Sequence, residues 1–306
     1  MVEYREKPPS HPVSRFVVTL LTRKLHARTL SSLAAWINTA GLRIGHVRLL
    51  SRPSQDQEDS RIDCAELSLL GKLHDRRALQ EKLRQSGSIH ATDVILQEDD
   101  SDRKNRRLVI FDMDSTLTRT EAIDELAILA GKGAEVEALT ARTMQGELDF
   151  TQSLKARVAL LAGLPESRLM AAAQSTPLTE GAERLLATLP CLDIKTAIVS
   201  GGFSQFGQVV QERLGIDYLY ANTLEIKDGK LTGRIRGQPI DGARKAALVR
   251  EMAVRENLSM TRTVAIGDGA NDIPMLQTAG PGIAFHAKPI VREHIACSIA
   301  HAGLDG

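Results

Sequence analysis

Leu108-Val109-Ile110-Phe111-Asp112-Met113-Asp114-Ser115-Thr116 is an apolar run that ends abruptly in two carboxylates. Its first four residues predict a short strand with both faces buried. Asp112 and Asp114 leave that strand one residue apart, where a tight turn can aim both at one metal ion or one reacting phosphorus. Holding two like charges together away from water is costly unless a cation or a proton resolves them. A turn that simply favours aspartate is the competing account, and the rest of the chain has to separate the two.

Downstream the pattern recurs. Residues 196–199 and 264–266 are short β-branched runs, each followed by polar or glycine-rich residues, with helical stretches between them. This predicts an α/β domain with a Rossmann-like parallel sheet wrapped by helices. Such sheets bind ligands outside the carboxyl ends of their strands, and the polar motifs sit at those ends. Ser200-Gly201-Gly202 offers a hydroxyl and open amides to phosphate oxygens, although an ordinary strand-to-helix turn reads the same way. Lys245 stands near the start of a predicted helix over 243–257, able to neutralise a phosphate and Asp112, or else simply solvated on the surface. In Gly267-Asp268-Gly269-Ala270-Asn271-Asp272, Asp268 has the hard oxygen chemistry of a magnesium ligand. Asn271 and Asp272 also suit a helix cap before Ile273.

Two segments depart from the strand–helix alternation. Residues 120–188 read as helices alone, with Ile123, Leu126, Ala127 and Ala130 on one face of the first and Leu154, Val158 and Leu161 on one face of a later one. This predicts a helical cap over about 117–188, inserted directly after the first motif. Residues 224–232 predict a hairpin around Asp228-Gly229.

Upstream, residues 15–97 alternate as βαββαβ, the split βαβ order of a ferredoxin-like unit. Gly41 and Gly87 are placed to end its two helices. Residues 98–107, acidic then basic, predict a solvated linker, and residues 1–14 a disordered or extended tail. The catalytic unit then runs over 108–306. With 306 residues and 42% apolar content, two packed cores are expected. A net charge of +1 and 3% aromatics give no case for nucleic acid or an anionic membrane as partner. Three scattered cysteines, Cys64, Cys191 and Cys297, fit a reducing compartment. No apolar run is long enough to span a bilayer, and the first residues lack the apolar centre of a signal peptide. A cytoplasmic location is expected.

Taken together, the four motifs resemble the haloacid dehalogenase superfamily of phosphohydrolases. Asp112 to Thr116 looks like its first motif, Ser200 its second, Lys245 its third and Gly267 to Asp272 its fourth. Arg244 stands beside Lys245, but Lys245 fits the family's register. The resemblance implies that Asp112 is the nucleophile, forming an aspartyl-phosphate, and Asp114 the acid and base. It implies Mg²⁺ held by Asp112, Asp268 and the carbonyl of Asp114, with Asp272 supporting from behind. Ser200, Gly201 and Lys245 would cradle the phosphoryl oxygens, and Asn271 would join the substrate contacts.

The cap is more specific. Residues 120–125, 144–158 and 227–233 closely resemble the phosphoserine phosphatases. That likeness implies Glu121 on the substrate ammonium, Arg157 on its carboxylate, and Met144 and Phe150 as an apolar wall. It implies hydrolysis of O-phospho-L-serine, the final step of L-serine biosynthesis. Alternatives are a phosphatase or phosphotransferase acting on another small phosphorylated amino acid, or a non-catalytic amino-acid sensor. The N-terminal order resembles amino-acid-sensing domains of the ACT type. An effector site or a homodimer through that unit are its expected uses.

Overall fold

The computed structural model describes residues 15–51 and 62–306. The expected tail over 1–14 and nearly all of the polar loop after Leu50 lie outside the described residues. Cα packing divides the chain into two compact units, with the boundary between Arg103 and Lys104.

The first unit runs β1 (Arg15–Thr22), α1 (Ala27–Thr39), β2 (Leu42–Leu49), β3 (Asp63–Gly71), α2 (Arg76–Ser88) and β4 (Asp93–Glu98). Its strands pair antiparallel in the order β2-β3-β1-β4, the ferredoxin-like arrangement the alternation predicts. Phe16, Val18 and Leu20 point alternately to one face, where they meet Leu33 and Ile37 of α1 and Leu79 and Leu83 of α2. Gln80 is buried, and it satisfies the edge strand β4 by donating to Val94 O at 2.9 Å and accepting from Leu96 N at 2.8 Å.

Two expectations are corrected here. Gly87 does not end α2, which continues to Ser88. A Cβ at Gly87 would lie 2.4 Å from Thr92 O, so its place reflects close backbone approach rather than a C-cap. The stretch 98–107 is not simply solvated. It holds a short 3-10 turn, Asp102–Lys104. Arg103 is largely buried there, paired with Glu66 and bonded to Gln97 at 3.2 Å. The charged stretch thus supplies the partner of a buried glutamate.

The second unit begins at β5 (Leu108–Phe111). Four helices follow: α3 (Ala122–Leu129), α4 (Gly133–Met144), α5 (Phe150–Ala159) and α6 (Glu166–Ser175). Next come α7 (Ala182–Thr188), β6 (Lys195–Phe203), α8 (Ser204–Leu214), β7 (Tyr218–Lys227), β8 (Lys230–Arg236), α9 (Gly242–Arg255) and β9 (Thr263–Gly267). The chain closes with α10 (Ile273–Thr278), β10 (Gly282–Phe285), α11 (Pro289–His294) and β11 (Cys297–Ile299). The seven strands stand in the order β11-β10-β9-β5-β6-β7-β8, parallel except for the β7–β8 hairpin. β5 is central. The chain winds one way through β6 and returns on the other side at β9, so the switch in strand order falls beside the end of β5. Leu108, Ile110, Ala197, Val199, Ala265 and Ala284 form the sheet's contribution to one core against α9 and α10. Asp228 and Gly229 both have positive φ, 50° and 70°, as a two-residue type I′ turn requires.

The helical insert has a stem. Thr118 bridges Leu178, Arg119 N donates to Pro177 O at 3.0 Å, and Thr179 N donates to Leu117 O at 2.9 Å. α3 to α6 lie between the two sides of this stem. α7 comes after it and packs on α8, so the insert ends near residue 179 rather than 188. The hairpin braces the insert: Gly163 N donates to Leu231 O at 2.8 Å and Glu166 N to Gly229 O at 2.9 Å.

Candidate active site

The site is built on the turn that leaves β5. Thr118 closes that turn, its amide and hydroxyl both donating to Met113 O at 3.0 and 3.1 Å. Within it Asp114 is extended and Ser115 is left-handed, with φ 57° and ψ 4°. This kink aims Asp112 and Asp114 differently. Asp112 is 5% exposed, and its Oδ1 accepts from Met113 N at 2.8 Å and Lys245 Nζ at 2.8 Å. Asp114 Oδ1 instead accepts from Ala122 N, at 3.1 Å, at the start of α3. A Cβ on Gly202 would collide with Asp114 Oδ2, so any larger residue there would displace that carboxylate.

Lys245 occupies the core-facing stripe of α9, in register with Leu248, Val249 and Met252. It has no solvent exposure and reaches Asp112 Oδ1 at 2.8 Å and Asp272 Oδ1 at 2.6 Å. Burial alone would lower its pKa, but the two aspartates overcome this and hold it above its usual value. Arg244 points elsewhere and pairs with exposed Glu251. The surface reading fits Arg244, not Lys245.

Asp268 directly follows β9 and is 6% exposed. Thr116 Oγ1 donates to its Oδ1 at 3.2 Å. Asp272 is fully buried, with Oδ1 on Lys245 and Oδ2 accepting from Gly269 N at 2.9 Å. The capping expectation before Ile273 is therefore corrected: α10 has no side-chain cap, because the Asp272 carboxylate turns back to Gly269 and Lys245.

The carboxylates share a raised proton affinity. Burial, then the charge on Asp272, pushes Asp112 well up. Burial and Glu121 push Asp114 up to about 8, and burial, Asp272 and Glu121 push Asp268 up to about 7. Ligand oxygens of Asp112, Asp268 and Asp272 lie within 4.8 Å of one another. Three buried carboxylates and one ammonium leave an excess of hard, anionic oxygen. That donor set suits a divalent cation such as Mg²⁺. The Asp114 side chain is not among these three, and both Asp272 oxygens already have protein partners.

A cavity of about 290 Å³ opens at the strand ends. Asp112, Ser200 and Asp268 line it from the sheet, and Glu121, Phe150 and Arg157 line it from the insert. Gly201 and Asn271 also border it, whereas Lys245 and Asp272 stand behind its wall. Ser200 is buried and accepts from Gly202 N at 2.9 Å. The strand here continues past Val199 to Phe203, breaking register with β7 at the serine and glycines. Glu121 is not a helix-capping acid: its Oε1 accepts from Ser115 Oγ at 2.8 Å. Arg157 is half-buried, with Nε donating to Ser153 O at 3.4 Å. Burial pulls its pKa down, opposed by Asp124 and Glu121. Met144 ends α4, and its side chain lies outside the described residues.

Some residues of the site escaped the sequence reading. Asp124 and Lys288 border the cavity. Asp124 lies one helical turn after Glu121, a spacing that would have flagged it. Lys288 lies in an exposed loop without a local signature. Asn222 is 4% exposed; its Nδ2 donates to Gly201 O at 2.8 Å and its Oδ1 accepts from Ile240 N at 2.9 Å, fixing the glycine turn.

The haloacid dehalogenase-like hydrolase profile matches residues 109–277. The phosphoserine phosphatase of Streptomyces coelicolor is 42% identical over 288 residues, 93% of this chain and 68% of that protein. Among solved structures, a hydrolase of the same family from Salmonella enterica serovar Typhi superposes with a TM-score of 0.80 at 30% identity, over 95% of this chain and 96% of the other. An unliganded probable phosphoserine phosphatase from Vibrio cholerae gives a TM-score of 0.75 at 34% identity, over 95% and 84%. The chain belongs to the haloacid dehalogenase-like hydrolases. Within that family it is a phosphatase. Among the described residues no helix is long and apolar enough to cross a membrane.

Proposed function

We propose that the chain hydrolyses O-phospho-L-serine to L-serine and phosphate, in the cytoplasm, as the last step of serine synthesis. One observation carries this reading. A single cavity is lined by paired aspartates suited to phosphoryl transfer and by Glu121 and Arg157, an acid and a base suited to a zwitterion. Two of the relatives named above, from Streptomyces coelicolor and Vibrio cholerae, are named as a phosphoserine phosphatase and a probable one, which supports this substrate.

In this mechanism an Asp112 oxygen attacks phosphorus, and the bond to the serine oxygen breaks. Asp114 gives its proton to the leaving alkoxide. Burial and the neighbouring Glu121 favour the protonated form of Asp114, which is the form that gives this proton. The carboxylate so formed takes a proton from water, which attacks the phosphorus of the aspartyl-phosphate and returns Asp112. Lys245 stabilises Asp112 and the transferring oxygens, while Ser200 and Gly201 donate to those oxygens. Mg²⁺, held by Asp112, Asp268 and the Asp114 carbonyl, would neutralise the approaching phosphate and let an anionic nucleophile meet it. Asp272 fixes Lys245 from behind. Arg157 grips the substrate carboxylate, Glu121 its ammonium, and Phe150 excludes water. Asn271 adds a polar contact.

The first unit is proposed as an ACT-like module that pairs two copies of the chain. Its edge strand β2 carries exposed Val47 and Leu49, which favour a partner along that edge.

Phosphate release from O-phospho-L-serine, compared with O-phosphoethanolamine and with p-nitrophenyl phosphate, tests the substrate. The reading expects the amino acid ester to be strongly preferred in Mg²⁺ and inert in EDTA. An Arg157→Ala variant is expected to raise KM about tenfold or more for phosphoserine and little for phosphoethanolamine, which lacks the carboxylate. Equal rates on all three esters would defeat it.

A further inference from the structure

Three consecutive residues after β5 each reach a different anchor. Asp114 Oδ1 accepts from Ala122 N at 3.1 Å, Ser115 Oγ donates to Glu121 Oε1 at 2.8 Å, and Thr116 Oγ1 donates to Asp268 Oδ1 at 3.2 Å. The first two anchors are adjacent residues at the start of α3. One short turn therefore orients the acid-base group and the acid that faces it from the insert.

Ser115 reaches Glu121 from a left-handed backbone, φ 57°. Residues with a side chain adopt that conformation at a cost. Glycine would hold the turn without strain, but it has no hydroxyl to give. Glu121, for its part, starts α3 without making a capping bond to it. Its carboxylate is directed by the loop that carries Asp112 and Asp114, not by its own helix. A neutral hydroxyl donor restricts the carboxylate's orientation while leaving its charge intact for a cationic ligand.

We infer that Ser115 is a positioning residue: its hydroxyl holds Glu121 in the orientation that receives the substrate's ammonium, and so sets the preference for an amine-bearing phosphate ester. The inference rests on the proposed role of Glu121. It ties substrate selection to the catalytic turn, because the strain at Ser115 is spent on orienting a recognition group.

The test compares O-phospho-L-serine with 3-phosphooxypropanoate, the same ester without the amino group, at saturating Mg²⁺. Ser115→Gly suits the backbone and removes the hydroxyl; Ser115→Ala removes the hydroxyl and keeps the Cβ. Either variant is expected to lower kcat/KM for phosphoserine about tenfold, mainly through KM, with less than about a twofold change for the des-amino ester. Turnover of the des-amino ester also reports that the variants are folded. In a Glu121→Gln background, Ser115→Gly should leave the ratio of the two substrates unchanged. If Ser115→Gly lowers both substrates equally, or leaves the ratio intact, the hydroxyl does not position Glu121 and the inference is overturned. A wild-type enzyme with no preference for the amine overturns the role of Glu121 as well. A wild-type preference that survives both serine variants overturns the Ser115 inference alone.

Discussion

Glu66, on β3 of the first unit, and Asp112, at the end of β5 in the second, are carboxylates buried to nearly the same degree, 6% and 5% exposed. They are neutralised very differently. Glu66 takes two guanidiniums, Arg48 at 2.6 Å and Arg103. Around Asp112, three buried carboxylates share one buried ammonium, and burial and mutual repulsion raise the proton affinity of Asp112 and Asp268. A structural buried charge comes with its counterions in the chain. The cluster at β5 is left short of positive charge, and its oxygens converge where a cation and a phosphate can complete it.

The sharpest way to break this contrast is Lys245→Met. It leaves Asp112 and Asp272 buried without their ammonium, and a loss of about 3–5 kcal/mol is expected in denaturant unfolding. Activity should be abolished in the fraction that folds. Unchanged stability would mean that the cluster is not held together by charge.

A cation should act as the missing partner. With Mg²⁺ a hundredfold above its Kd, stabilisation of about 2.7 kcal/mol is expected. The pH dependence without metal gives the sign independently. Unfolded aspartates lose their protons near pH 4, whereas folded Asp268 and Asp114 keep theirs to about 7 and about 8. The folded state binds more protons in between, so stability in EDTA should fall as pH rises from about 4 to about 8. Mg²⁺ should flatten that decline. Thermal melts across this range with and without the metal read both effects, and a metal-free curve that rises with pH would contradict the charge imbalance.

The smallest effect belongs to the balanced cluster. Glu66→Gln should cost about 1.5 kcal/mol through its arginine bonds. It should leave kcat/KM for the second unit's chemistry unchanged, and it should create no response to Mg²⁺. A large loss of activity in this variant would erase the distinction between the two clusters.

Much of the site was legible because its chemistry breaks local pattern. Aspartates at the end of an apolar strand, and glycines after the next strand, stand out against the periodicity of a buried sheet. Lys245 was legible in position but not in burial: a lysine among Leu248, Val249 and Met252 on a helix stripe looks like a register error until Asp112 and Asp272 are beside it. What stayed hidden was mostly short or distant. β10 and β11 are four and three residues long, too brief for a period to show. Arg103 finds Glu66, and Asn222 finds Gly201, across stretches of chain that no local rule connects. The stem at 117–119 and 177–179 is made of main-chain bonds, which leave no side-chain signature.

The central claim is that the unbalanced carboxylate at the end of β5 is the group that takes the phosphoryl group. Phosphate release from O-phospho-L-serine by Asp112→Asn, in saturating Mg²⁺ and with folding checked by circular dichroism, tests it most directly. The account predicts a loss of at least about 10⁴-fold against wild type, since removing a nucleophile costs on that order. A folded Asp112→Asn enzyme releasing phosphate at near the wild-type rate would contradict it.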